Sequence, residues 1–420
     1  MASNRDKASS VERSPRVGGR AAYAPYAAFA AFGIFWGAWG AALPALRTQA
    51  GVSDGELGTA LLFVGLGALP TMALTGRAVD RFGLRVAAWL LTALVGAGLL
   101  ITAADGMVVL VIGMLVVGAA SGAADVAINT LAGRAEHATA KPLLTRSHGL
   151  FSVGVVIASL STGALLGTGS SLLLAFAVVA VVVCALVAVV WLASASLEVP
   201  AHRGEAGQER EVPEGPGVAA PPGSRSLAGM LRRIGPTSPL FVLGLVAALA
   251  YAVENAHQSW GAVLLTDVFT ASPGLAAAAP AAFAAAAALA RLSLAPLSRS
   301  HPVAMLVGGG VLATVGTVVL AAAPWVAVAL VGLVLAALGT ATLFPTLLSR
   351  SLRGTEPGRH GRATSTVAAT AYLGFLLGPA YVGLLAERSD LRGAMLGVAA
   401  LALVFTLAAA PISAWAARRN

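Results

Sequence analysis

The chain carries twelve apolar stretches, each near the roughly 20 residues that a helix needs to cross a bilayer. They run over 22–45, 56–76, 86–104, 107–132, 147–167, 171–194, 239–265, 274–297, 302–322, 325–348, 364–385 and 394–416. Water is absent from hydrocarbon, so a run of this length must satisfy its own backbone, and helix is the expected state. The expected fold is therefore an all-α membrane protein with twelve transmembrane helices in two six-helix halves. Composition agrees: 58% of the residues are hydrophobic and 11% charged, where a soluble domain carries about 25% charged residues. Cys184 is the only cysteine, which excludes a disulfide scaffold within the chain. The apolar content excludes wholesale disorder. No small-residue cleavage site ends the first apolar run, so it is read as a span rather than a signal peptide.

A net charge of +9 raises the question of nucleic acid. The arginines lie at the edges of apolar runs and form no groove-like patch, so no nucleic-acid partner is expected. They act instead as a topology signal. With the N-terminus inside, Arg47, Arg388 and Arg392 are the only basic side chains, Lys and Arg together, left on the outer side. That asymmetry predicts a multi-pass protein of the plasma membrane with both termini cytoplasmic.

Five units follow: a disordered cytoplasmic tail over 1–21, a six-helix bundle over 22–194, a flexible cytoplasmic linker over 195–238, a second six-helix bundle over 239–416, and a short tail over 417–420. The linker contains Pro200, Pro213, Pro216, Pro221, Pro222 and Pro236 among scattered glutamates, a composition too polar to pack. Trp39-Gly40-Ala41 in the first helix is echoed by Trp260-Gly261-Ala262 in the seventh, a weak internal repeat of the kind transporter halves show. Small residues at helical spacing, Gly33 with Gly37, Gly118 with Gly122 and Gly374 with Gly378, predict close helix contacts.

Between the second and third spans stands Gly76-Arg77-Ala78-Val79-Asp80-Arg81-Phe82-Gly83-Leu84-Arg85. A tight connection needs glycine where the chain turns, and its charges can reach lipid phosphates or partner carboxylates. This stretch resembles the G-x-x-x-D-R-x-G-x-R signature of the major facilitator superfamily, in the loop where that family carries it. The resemblance extends over all twelve spans. It implies a secondary transporter that alternates access between its halves, with Gly76, Asp80, Arg81, Gly83 and Arg85 in gating. Asp80 would latch the halves in one access state, paired with Arg359 or Arg362; the alternative is a loop that only orients the protein. The second-half counterpart, Ala290 to Arg299, has no acid, which leaves a second latch in doubt. The Trp36–Ala45 run, the Ser53–Gly58 turn, Asp125–Asn129, Ser147-His148-Gly149 and Gly374–Gly383 are similar to a bacterial branch related to the fucose-permease-like group.

Of the 18 acids, only Asp125 and Glu254 lie clearly within spans. A charged carboxylate near the bilayer centre costs about 2.5–3.5 kcal/mol. Keeping an aspartic acid neutral at pH 7 costs about 4 kcal/mol. The two costs are comparable, so modest changes in solvent access can move a proton on or off. Both residues are proton-coupling candidates. Glu254 has Asn255, His257 and Gln258 beside it, with Gln258 one turn on along the same face. Asn255 and Gln258 are candidate solute contacts on the wall of a central cavity; a polar packing cluster is the alternative. Asn129 lies one turn from Asp125 and is a further candidate contact. A structural tie from Asp125 to Arg146 or His148 is the alternative to a proton or gating relay. Trp36 is placed deeper than Trp39 and is the candidate solute contact of the two; an interface anchor is the alternative.

Helix eleven contains Gly378-Pro379, which lets a membrane helix bend. Helix five lacks the Gly-Pro signature of many drug antiporters of the superfamily. No nucleotide fingerprint, metal-ligand spacing or catalytic triad is present in the sequence, so no enzyme and no cofactor are expected. The expected partners are a small-molecule solute, protons and the lipid bilayer, and the chain is expected to be a monomer. Sparse polar groups in the spans lean the reading to proton-coupled efflux of a metabolite or drug. A sugar-type solute:proton symporter, and a transporter-like sensor or scaffold, remain the alternatives.

Overall fold

The computed structural model describes residues 22–139, 141, 143–197, 238–353 and 360–417. All regular structure among them is helical. The first half holds α1 (Tyr23–Ala50), α2 (Asp54–Phe82), α3 (Val86–Ile101), α4 (Met107–Thr139), α5 (Leu143–Gly167) and α6 (Leu172–Ser194), followed by a 3-10 turn over Ala195–Leu197. The second holds α7 (Pro239–Phe269), α8 (Pro273–Ala276), α9 (Ala278–Ser300), α10 (Pro302–Ala322), α11 (Val326–Thr340), α12 (Leu343–Arg353), α13 (His360–Arg388) and α14 (Leu391–Ala417). Helix α8 runs into α9, and α11 into α12, so each pair makes one span. The 195–238 linker lies almost wholly outside the described residues, as do both tails.

Eleven spans are long and apolar enough to cross a membrane, and α3, with 16 residues, is shorter. Topology nonetheless makes α3 a crossing. Gly118 and Gly122 of α4 pack on Val64 and Ala68 of α2 in ascending order, so α2 and α4 run parallel. A helix between them has to carry the chain back.

All three glycine pairs named above sit where two backbones touch. A Cβ on Gly33 or Gly37 would overlap the backbone of Phe151 or Val155 in α5. One on Gly374 or Gly378 would overlap Ala248 or Ala252 in α7. Lipid tails offer helices no hydrophobic drive to associate, so packing area must come from close approach, and only the missing side chain permits it. The α1–α5 pair of the first half is thus repeated by α7–α13 in the second, with the glycines moved to the partner helix.

The halves meet mainly at one end of the bundle. Gly58 of α2 packs against Gly383 and Pro379 of α13, and Ser159 Oγ donates to the Ala277 carbonyl at 2.7 Å. Ser53 caps α2 in a capping box with Glu56, and its Oγ also donates to Glu387 Oε1 at 2.6 Å. Arg47, in the last turn of α1, reaches Asp54 of its own half and Asp267 of the other, with Nη2 at 2.8 Å from Asp267 Oδ1. We call this the sealed end. The opposite end carries the termini of α2 and α4, and α5 enters from it with His148 exposed.

Candidate functional site

A cavity of about 320 Å³ lies between the halves, below the sealed end. The first half contributes Phe32, Trp36, Trp39 and Gly40 from α1, and Val64, Ala68 and Met72 from α2. Ser121, Gly122 and Asp125 follow from α4, and Phe151, Ser152 and Val155 from α5. The second half contributes Tyr251, Asn255, Gln258 and Ser259 from α7, and Pro280, Phe283, Ala284, Ala287 and Arg291 from α9. Tyr372 and Phe375 of α13 complete it. Its volume falls at the small end of the range that binds organic ligands.

Helical spacing explains the selection. Phe32, Trp36, Trp39 and Gly40 stand at i, i+4, i+7 and i+8, and Tyr251, Asn255, Gln258 and Ser259 repeat that interval. Each set is one face of an α-helix turned inward. The Trp-Gly-Ala echo does not share this role. Trp39 faces the cavity, while Trp260 is fully buried and donates Nε1–H to the Pro379 carbonyl at 3.0 Å.

Asp125 is on the wall. Asn129 Nδ2 donates to its Oδ1 at 3.1 Å and to its backbone carbonyl at 2.9 Å. Asn129 therefore stands behind Asp125 and is not itself a wall residue. Among the described residues Asp125 forms no ion pair, so neither Arg146 nor His148 ties it down here.

Glu254 sits just behind the wall and is 9% exposed. Its Oε1 accepts from Arg291 Nη2 at 2.7 Å and from Gln258 Nε2 at 3.2 Å. Arg291 also donates Nε–H to the Ala341 carbonyl at 3.2 Å, at the break between α11 and α12. One guanidinium thus joins the cavity wall, a buried carboxylate and the interruption of a broken span. Sequence reading placed Arg291 in a loop counterpart, Ala290 to Arg299. The stretch is instead helical to Ser300, which lifts Arg291 into the cavity.

Asn255 is committed in part to the backbone. Pro379 has no N–H, so the Phe375 carbonyl one turn earlier loses its helical partner. Asn255 Nδ2 supplies one at 2.6 Å. Trp36 is half-buried on the wall, its ring 6.3 Å from that of Phe32 between centroids. His257 takes no part in the wall: it is held between the Val253 carbonyl at 2.6 Å and Thr317 Oγ1 at 3.0 Å.

The signature stretch is mostly helix. Gly76 to Phe82 form the last turns of α2, and Gly83 turns the chain at φ +81°, a conformation that favours glycine. Arg81 lies over the Phe82 ring at 5.3 Å, and Arg85 stacks on Trp191 of α6 at 4.8 Å. Asp80 pairs with Arg134 of α4, in its own half, at 2.9 Å. Of the partners named for a latch, Arg359 and the side chain of Arg362 lie outside the described residues.

Tyr251, Tyr372, Ser121, Ser152, Ser259 and Arg291 are polar wall residues that sequence reading missed. The α7 set carried a signal, the shared helical interval with Asn255. Arg291 carried none, because its partner is 37 positions away and no pattern links them.

Parallel helix pairs, two joined halves and a mainly apolar cavity with a few polar groups, closed at one end, define a polytopic membrane transporter. Residues 26–349 and 240–419 match the Major Facilitator Superfamily. The chain belongs to that superfamily. It is 28% identical over 373 residues to an uncharacterised MFS-type transporter of Yersinia pestis, covering 88% of this chain and 89% of that one. It is 26% identical over 374 residues to the membrane protein MosC of Rhizobium meliloti, covering 87% and 84%. Among solved structures, the nucleoside transporter NupG superposes with a TM-score of 0.69 at 17% identity, covering 94% of this chain and 99% of that one. A D-xylose-proton symporter gives 0.68 at 15%, covering 94% and 96%. At such identities these structures share the fold alone. The chain is accordingly a multi-pass transporter of the cell membrane and not an enzyme.

Proposed function

We propose that this transporter is a proton-coupled secondary carrier that exports a small organic solute by alternating access. Its sealed end faces outward, both termini are cytoplasmic, and the described conformation is open to the inside. The linker over 195–238 joins the halves on the cytoplasmic side, and the chain works as a monomer. The observation that carries the reading is Asp125: a carboxylate within the membrane, on the wall of a cavity closed at one end, with no ion-pair partner among the described residues. Such a group is neutralised by a proton or by what enters the cavity. Proton and solute then compete for one site, and an inward proton gradient drives solute out.

Glu254 couples through Arg291, whose release from the carboxylate would free the Ala341 break. Trp36, Gln258 and the Asn255–Ser259 pair meet the solute, and Asn129 positions Asp125. Gly76, Asp80, Arg81, Gly83 and Arg85 form the gating turn, with Arg134 as the partner of Asp80.

A second reading is symport of a hydroxylated, sugar-type solute. The hydroxyls of Tyr251, Tyr372, Ser121, Ser152 and Ser259 on the wall favour it, since each solute hydroxyl needs a partner.

Proteoliposomes loaded with a pH dye separate the two. Proton movement out of the vesicles when an amphipathic compound is added outside and moves in, lost in Asp125→Asn, is the expected antiport result. Acidification of the interior that only sugars added outside elicit would replace export with symport. Unchanged coupled flux in both Asp125→Asn and Glu254→Gln would remove these carboxylates from the mechanism.

A further inference from the structure

The charge balance of the cavity restricts what can occupy it. Glu254 and Arg291 cancel each other at 2.7 Å, and the Arg291 Nε–H is already given to Ala341. Among the described residues, Asp125 has only the neutral amide of Asn129 on its Oδ1. The remaining ionisable side chains around the chamber, among the described residues, are Tyr251 and Tyr372 on the wall and His148 on α5, which feels the Arg291 charge. The chamber is thus one negative charge out of balance whenever Asp125 is ionised. An uncompensated charge in so apolar a setting is costly, and a bound cation removes the cost as well as a proton does.

The walls around this charge are aromatic. Phe32 stands between Trp36 at 6.3 Å and Phe151 at 5.8 Å, and Tyr372 stacks on Phe375 at 5.1 Å. Ring faces attract cations, and tryptophan does so best. An anion would meet Asp125 with a guanidinium already held by Glu254. A neutral solute would leave Asp125 unpaired.

The geometry points to an organic monocation as the solute: a protonated amine or quaternary ammonium with a flat apolar body. Its nitrogen takes the place of the proton on Asp125, and its body lies against Trp36, Phe32 and Phe151. This deepens the function proposed above and rests on it only for the competition with protons.

The test uses the purified full-length protein and ethidium, a planar aromatic cation, read by fluorescence. Three indoles with one body and different charge compete: tryptamine, tryptophol and indole-3-propionate. Ethidium is expected to bind more weakly as pH falls, because the proton occupies Asp125. Tryptamine should displace it at least about tenfold better than tryptophol, the scale of a charge-assisted bond, and indole-3-propionate should not compete. Asp125→Asn should lose about tenfold or more in ethidium affinity and all of its pH dependence, while Asp125→Glu keeps both. Size-exclusion and thermal melting check the variants; if Asp125→Asn does not fold, the pH profile and the indole order in the parent decide. No ethidium signal, equal competition by all three indoles, or full affinity in folded Asp125→Asn overturns the proposal. Proton release by tryptophol or indole-3-propionate alone would leave proton coupling standing and remove the cationic solute. Tight, pH-independent cation binding would do the reverse.

Discussion

Replacing Arg47 with glutamine is expected to unlock the sealed end. Its guanidinium makes two charge-assisted contacts across the halves, at 2.8 Å and 2.6 Å to Asp267. The side chains are 17% and 28% exposed, so the pair lies between a surface and a buried one. Exposed pairs contribute up to about 1 kcal/mol, and breaking buried pairs costs about 3–5 kcal/mol. A cost of about 1–2 kcal/mol is reasonable here, which multiplies the open-to-sealed ratio by about 5–30. The loss also leaves Asp54 and Asp267 facing each other without a cation, and their repulsion acts in the same direction. Ser259 lines the cavity, and Cys184 is the sole native thiol. A Ser259→Cys, Cys184→Ser background therefore reports opening through its rate of labelling by an impermeant thiol reagent added outside cells. Arg47→Gln and Asp267→Asn should both raise that rate. Asp54→Asn should change it by about twofold or less, because the cross-half pair survives. Unaltered labelling in the first two variants would refute the reasoning. So would an effect of Asp54→Asn equal to theirs, since it would show that the contact within the first half is what matters.

Other substitutions probe packing and the gating turn. Gly33→Ala should lower stability by about 1–3 kcal/mol through collision with the Phe151 backbone, while Gly96→Ala, which meets nothing within 4 Å, should be neutral or gain up to about 1 kcal/mol; thermal melting of the purified protein distinguishes them. His257→Ala should cost about 2–4 kcal/mol by leaving Thr317 and a buried volume unfilled, with the pH profile of transport unmoved in the protein that folds. Asp80→Asn breaks a pair whose side chains are 71% and 47% exposed, so its melting temperature should match the parent while transport rate falls if the turn gates. Asn129→Leu should leave solute affinity near that of the parent but shift its pH midpoint, because Asn129 touches Asp125 and not the cavity.

The spans were legible because each must pay its own backbone bonds in hydrocarbon, a local requirement written into about twenty consecutive residues. The glycine pairs were legible for a similar reason: Gly33 with Gly37 shows its spacing within one helix, whatever the partner. The site was legible in pieces. Asp125 and Glu254 stood out because acids are rare in spans, and Gln258 because it follows Glu254 by one turn. Arg291 did not stand out, nor did the use of Asn255 on the Phe375 carbonyl, because both depend on a helix far along the chain. For the same cause the Trp-Gly-Ala echo did not carry the facing of its helices. It marks corresponding helices, but α1 and α7 turn different faces inward, so Trp39 lines the cavity and Trp260 braces Pro379.

Sequence by itself determined the class of solvent, the number of crossings and the short turn at Gly83, since hydropathy, length and backbone freedom are properties of neighbouring residues. Tertiary structure alone decided which charges cancel. Arg291 could have faced lipid, cytoplasm or Asp125; packing of α9 against α7 gave it to Glu254 and left Asp125 with an amide. Charges act through space over a few ångströms, and the distances that settle their pairing exist only once the helices have met.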